Sequence, residues 1–216
     1  MKSLDDRLLL KAGLLIPLWL LLGVWLTALA YPGYSHLDQA MSQLGAQGAP
    51  THSFSLWINN IPLAVLFVAF ALGLWRRWAG SRLARASAVL VLLHGLGSLG
   101  TGLFACDQGC APAQPSLSQQ MHNLCGLLMF LSLTLASALW IWLGSRVARS
   151  FRYSLFSLAC TGLAIITVGF MAHAAESGEG FGLYQRLNYG VSVVWIASLA
   201  LLSLQRPLAH TGTVPV

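Results

Sequence analysis

Apolar runs long enough to cross a lipid bilayer recur six times along the chain, separated by short polar stretches. They cover residues 8–30, 54–75, 83–105, 118–143, 151–173 and 187–204. A helix rises 1.5 Å per residue, so about 20 residues cross the roughly 30 Å hydrocarbon layer. Helices are the open-ended solution there, because each backbone polar group must be satisfied within its own segment. The pattern therefore predicts an all-α, polytopic membrane helical bundle of six transmembrane helices, one domain over residues 1–216. The first connecting stretch carries a weaker signal. Ser35 and Asp38 have capping-box spacing, Leu37, Met41 and Leu44 repeat at helical intervals, and Gly45 follows as a stop. This predicts a short amphipathic interfacial helix in the first outer loop, with His36, Gln39, Ser42 and Gln43 on its polar side.

Composition sharpens this reading. Charged residues make up only 8% of the chain and apolar ones 56%, whereas a soluble domain carries about 25% charged residues. The net charge of +6 does not mark a nucleic-acid surface, because the basic residues fall in clusters between the apolar runs. Lys2, Arg7 and Lys11 begin the first span. Arg76, Arg77, Arg82 and Arg85 lie between spans two and three. Arg146, Arg149 and Arg152 lie between four and five, and Arg206 follows six. Of the 12 basic residues, Arg186 alone falls on the other side. Positive residues mark cytoplasmic loops, so both termini are expected in the cytoplasm and the protein in a bacterial cytoplasmic (inner) membrane. Ala28-Leu29-Ala30 has the form of a signal-peptidase site. The apolar run before it exceeds the 7–15 residues of a signal peptide, so an uncut span is expected.

Candidate chemistry gathers at the outward ends. Cys106 and Cys110 flank Asp107-Gln108-Gly109, and an oxidising compartment makes a disulfide the default; a redox-active pair and thiolate metal ligation are the alternatives. His36 and His52 fall in the first outer loop, His122 opens span four and His173 closes span five, while His94 sits near mid-bilayer. None has the spacing of a helical metal site. Asn59 and Asn60 precede Pro62, Asn123 follows His122, and Asn188, Tyr189 and Ser192 open span six. Polar side chains in hydrocarbon normally face the bundle interior and mark functional sites. Arg186 either pairs with Asp107, Glu176 or Glu179, or holds an anionic head group through its fork. The candidate outer-face cluster is thus His36, Ser42, Asn59, Asp107, His122, His173, Arg186 and Asn188. Small residues four apart, Gly97 with Thr101 and Ser98 with Gly102, predict close helix packing, and Gly162, Ile166, Gly169 and His173 repeat the theme in span five. Phosphate-loop, dinucleotide and nucleophile-elbow motifs are absent. No acidic residue lies in a span interior, which weakens proton-coupled transport.

Several stretches together resemble a family. They are Tyr31-Pro32-Gly33-Tyr34-Ser35-His36-Leu37, Ser42-Gln43-Leu44-Gly45-Ala46, Cys106-Asp107-Gln108-Gly109-Cys110, His122 with Gly126, and Gly182-Leu183-Tyr184-Gln185-Arg186-Leu187. Their order and spacing resemble the bacterial and archaeal membrane family called domain of unknown function 998. Many relatives have Ser-Glu-Leu-Gly where this chain has Ser42-Gln43-Leu44-Gly45, which argues against a role needing a carboxylate at position 43. The resemblance implies the six-span layout and supplies no reaction, cofactor or metal. The expected function is binding of a lipid-like or small amphiphilic ligand in a polar cup open to the extracytoplasmic side, with membrane lipid as the surrounding partner. Two alternatives stand beside it. One is an intramembrane enzyme using His36, His122, His173 and Asp107, with or without a metal. The other is a redox protein using the cysteine pair or a haem held by His122 and His173.

Overall fold

A computed structural model describes residues 2–205; Arg206 and His210 lie outside them. Six helices are long and apolar enough to cross a membrane. They are α1 (Lys2–Leu29), α2 (His52–Arg77), α3 (Arg82–Leu103), α4 (Leu117–Arg146), α5 (Phe151–Ser177) and α6 (Phe181–Gln205). No strand occurs among the described residues, and the protein is a multi-pass helical membrane protein. Two helices start six residues before the sequence limits, α1 at Lys2 rather than residue 8 and α6 at Phe181 rather than Leu187; in α6 the extension takes in a polar stretch. Tyr184, Gln185 and Arg186 lower the hydropathy of its first turns without breaking the helix.

Each helix packs on its neighbours in the chain, and α6 returns to α1, so the six close into a ring. One end of the ring carries the start of α1, the end of α6 and the short 78–81 and 147–150 connections. The other carries the long 30–51 and 104–116 connections and the 178–180 turn. Outward faces are oily: Leu21 is 70% and Trp57 66% exposed, as suits side chains that lipid tails solvate. Inside, the half near the termini is filled. Phe70, Leu74, Trp140, Leu143, Trp195 and Leu199 are all fully buried. Buried indoles need acceptors, and serines supply them across the helix interfaces. Trp140 Nε1 donates to Ser87 Oγ at 2.9 Å, Trp195 Nε1 to Ser157 Oγ at 3.1 Å and Trp78 Nε1 to Ser203 Oγ at 3.1 Å.

Helix ends follow local chemistry. Ser81, Ser116 and Ser150 cap α3, α4 and α5 by accepting the N–H groups of Ala84, Gln119 and Tyr153. Gly178, at φ 80°, ends α5 in the left-handed conformation that glycine adopts most readily. The glycines of α3 act as expected for close packing. A Cβ on Gly97 would lie 2.8 Å from Met129 Cγ of α4, and one on Gly95 2.8 Å from Phe67 Cβ of α2. In α5 the expectation fails. Nothing lies within 4 Å of a Cβ built on Gly162 or Gly169, and Ile166 is 56% exposed. That stripe faces outward.

The first outer loop also differs from expectation. Ser35 Oγ does bond Asp38, donating to Oδ2 at 2.8 Å and accepting its N–H at 3.2 Å. The segment then continues as a turn and a five-residue 3-10 helix, Met41–Gly45, with Leu44 fully buried and Leu37 60% exposed. No amphipathic α-helix forms. The backbone is drawn off by the start of α6, whose unsatisfied N–H groups bond the loop: Gly182 N to Asp38 O at 3.2 Å and Leu183 N to Leu37 O at 2.7 Å. The loop caps α6 instead of lying along the membrane.

Candidate functional site

Between the helices, from the long-loop end to about the middle of the bundle, lies a cavity of about 250 Å³. Its floor is at His94, Met129 and Leu133, its walls carry Asn59, Asn60, Ser98, Thr101, His122, Asn188, Tyr189 and Ser192, and Met41, Ser42, Gly45 and His52 cover it. A shallower depression of about 450 Å³, lined by Asp38, Gln43, Gln119 and Asn123, meets it at Ser42, His122, Gly126 and Gln185.

The two adjacent asparagines reach the wall because α2 contains a π-helical stretch, Leu56–Asn60. Such bulges are frequent at functional sites. Pro62 has no N–H to give the Ile58 carbonyl, and Trp19 Nε1 of α1 reaches that oxygen at 2.8 Å. Asn60 Nδ2 donates to Ser98 O at 2.8 Å and Thr101 Oγ1 at 3.2 Å. Asn59 Nδ2 donates to Thr27 Oγ1 at 3.1 Å and Ser55 Oγ at 3.2 Å, while its Oδ1 is buried without a partner, in the space a Cβ on Gly23 would need. Asn188 Nδ2 donates to Ala164 O at 2.7 Å and Thr167 Oγ1 at 3.0 Å.

The histidine tautomers follow from their partners, because a carbonyl oxygen only accepts. His94 Nδ1 faces Met129 O at 3.0 Å and so carries the proton; its Nε2 then accepts from the Tyr189 hydroxyl at 3.0 Å. His122 Nδ1 donates to Thr101 O at 3.0 Å and Phe104 O at 2.9 Å. His52 Nδ1 donates to Gly45 O at 2.8 Å and Ala46 O at 3.1 Å. In the neutral imidazole, His52 and His122 are therefore Nδ1–H tautomers whose Nε2 is an acceptor.

Of the eight residues singled out from sequence, Ser42, Asn59, His122 and Asn188 line this cavity. The other four lie elsewhere. Arg186 pairs with no carboxylate: it donates to the Tyr34 hydroxyl at 2.6 Å, Gly182 O at 2.9 Å and Gln39 O at 3.0 Å, tying the first loop to α6. His36 packs edge-on against Tyr34; burial, then the Arg186 charge, lowers its pKa. Burial raises that of Tyr34, against the pull of Arg186. Asp107 accepts from Ser116 Oγ at 2.6 Å and Ser116 N at 2.9 Å, which hold its carboxyl below the usual range. His173 is exposed on the outer face of α5. His36, His122, His173 and Asp107 thus do not converge, and His122 and His173 do not face one another across a cavity. Among the described residues no three His, Cys, Asp or Glu side chains form a group able to hold a metal ion.

Cys106 and Cys110 are paired as a disulfide. Their loop is sewn to the first: Gln47 N donates to Cys106 O at 2.8 Å, and Gln43 Nε2 to Gly109 O at 3.1 Å. A carboxylate at position 43 would have no proton for that bond.

Asn60, His94, Gln185 and Tyr189 belong to the cavity and were outside the sequence cluster. His94 was visible as a mid-bilayer polar residue. Its link to Tyr189, 95 residues away, has no sequence signature.

A closed six-helix membrane bundle, with a polar-walled cavity confined to its long-loop half, is the class these features define. The chain belongs to the family described as Protein of unknown function (DUF998), whose model matches residues 14–202. No curated protein and no solved structure matches it.

Proposed function

We propose that this protein binds a small amphiphile, a lipid head group with the first part of its chain, in the cavity between its helices. The observation that carries the reading is the space of about 250 Å³ bounded by residues of all six helices, with polar groups at a depth where they are costly unless used. Ligand sites are concave and mostly apolar, with a few placed polar groups. This one combines Leu20, Leu63, Phe130 and Val168 with amides, imidazoles and hydroxyls. Its volume lies just below the range of about 300–1,000 Å³ usual for drug-sized ligands, so it suits a head group rather than a whole lipid. The basic residues cluster at the end with the termini. By the positive-inside rule that end is cytoplasmic, the cavity opens to the extracytoplasmic side, and the location is a bacterial cytoplasmic membrane.

Native mass spectrometry of the full chain, released from lipid nanodiscs, tests the reading. One amphiphile per chain is expected. Ser192→Leu, which puts three further carbons in place of a hydroxyl at the cavity wall, abolishes that adduct while the melting temperature stays within a few degrees. An adduct that persists unchanged in Ser192→Leu, or a wild-type chain with none, would falsify it.

A further inference from the structure

The cavity wall has a hydrogen-bonding polarity. Asn60 and Asn188 spend their N–H groups on the carbonyls and hydroxyls of neighbouring helices, and His52 and His122 spend theirs on loop and helix-end carbonyls. The carbonyl partners fix each orientation, since the atom facing a carbonyl oxygen must be the donor. What each residue leaves for the cavity is an acceptor with no partner among the described residues: Oδ1 of Asn60, Oδ1 of Asn188, Nε2 of His52 and Nε2 of His122. The Ser42 and Ser98 hydroxyls, which also line the cavity, can donate as well as accept, and Gln185 is a further exception. Its Oε1 takes the Met41 N–H at 2.7 Å, so its Nε2 remains a donor. Among the described residues no Asp, Glu, Lys or Arg lines the cavity.

We propose that the cavity selects an uncharged lipid whose head group donates hydrogen bonds, an alcohol or polyol, and rejects carboxylate and phosphate head groups. This rests on the cavity being the ligand site. An anion brought there would face four amide and imidazole lone pairs, with only neutral donors and no counter-charge to offset them, in a medium that hardly screens charge. A quaternary ammonium has no proton to donate and no carboxylate to pair with. A hydroxyl matches both parts of the wall: its proton goes to an amide or imidazole acceptor, and its oxygen accepts from Gln185 Nε2.

The test is equilibrium binding to the wild-type full chain in phosphatidylcholine nanodiscs, free of sugar detergents that would themselves compete. Four probes of one chain length are compared: a monoacylglycerol, its di-O-methyl ether, the fatty acid at pH 8 and the alkyltrimethylammonium. The monoacylglycerol is expected to bind tightest. The ether accepts but does not donate, and is expected to bind ten-fold or more weakly, roughly five-fold for each hydrogen bond lost. The fatty acid and the ammonium are expected to be weaker still. Equal binding of diol and ether, or a fatty acid as tight as the diol, overturns the selectivity while leaving amphiphile binding in place. Failure of all four overturns the ligand site itself. Because the comparison varies the ligand, it does not depend on any variant folding.

Discussion

Arg186 shows how a residue against the charge rule can be structural. Its guanidinium donates to two main-chain oxygens and to the Tyr34 hydroxyl, and its carbon stands 5.6 Å from the Tyr34 ring centre. Hydrogen bonds from a charged donor contribute about 1.5–3 kcal/mol each. In Arg186→Met the first loop should therefore detach locally, by on the order of 2 kcal/mol after allowance for partial exposure. Hydrogen exchange over residues 34–41 should quicken while that of α3 is unchanged; uniform quickening would show a global effect instead. Three titrating groups act on the same loop ends. Asp38 is held below the usual carboxylate range by the Gly180 N–H, 3.0 Å away, then by Ser35, and Asp107 by Ser116. His36 is lowered by burial and Arg186. A lowered folded value means stability that is complete above the unfolded pKa and lost as pH falls through the folded one. For His36 that loss begins below about 6.5, and for the two aspartates below about 3.9. The long-loop end should loosen in two stages on acidification, followed by exchange of its amides. Asp38→Asn and Asp107→Asn should flatten the second stage and leave the first.

Between elements, contact distance decides more than composition. Gly144 of α4 and Gly162 of α5 are both small residues in apolar helices, and sequence treats them alike. A Cβ on Gly144 would lie 2.7 Å from the Ser154 backbone nitrogen and 3.0 Å from its Cα, whereas one on Gly162 meets nothing within 4 Å. Gly144→Ala should cost about 1–3 kcal/mol through overpacking against main chain. Gly162→Ala should be neutral or up to about 1 kcal/mol stabilising through helix propensity. Thermal unfolding in one detergent separates them, and equal melting temperatures would refute the α4–α5 contact. The indole–serine links are similar. The sequence offers eight tryptophans and many serines but does not pair them; Trp140 with Ser87 spans 53 positions. Helix number and approximate limits were legible because crossing length is fixed by the bilayer. The start of α6 was not, because hydropathy reads Tyr184-Gln185-Arg186 as loop while the backbone continues as helix. The loop helix misled because its Ser35–Asp38 bonds form as expected while the Leu37 and Asp38 carbonyls serve α6, and Gly45 lies inside a 3-10 helix rather than after it.

For the whole molecule, the two halves of the ring are built differently. The half near the termini closes on Trp140, Trp195, Phe70 and Leu199; the other stays open around amides and imidazoles. That polar groups gather at one end was legible from their depth along each run, which placed Ser42, Asn59, His122 and Asn188 at the cavity. Which helix face each one takes was not: Asp107 turned to the Ser116 hydroxyl and N–H, and Arg186 to the Tyr34 hydroxyl and two main-chain oxygens. Two unrelated signals support the proposed orientation. Positive residues favour the cytoplasmic side, and Arg76, Arg77, Arg82, Arg85, Arg146, Arg149 and Arg152 lie at the end with the start of α1 and the end of α6. The Cys106–Cys110 disulfide lies at the opposite end, and disulfides persist where the compartment oxidises. An inverted chain would put most of its arginines outside and its disulfide in a reducing cytosol, so both signals would have to fail together. Single-cysteine labelling in intact cells decides this. Gly80 has no neighbour within 4 Å of a built Cβ, and Glu179 is exposed, so both accept Cys. A membrane-impermeant maleimide should label Glu179→Cys in whole cells and Gly80→Cys only after the membrane is opened. Labelling of Gly80→Cys from outside would turn the cavity toward the cytoplasm, and the search for its ligand would move to cytoplasmic amphiphiles.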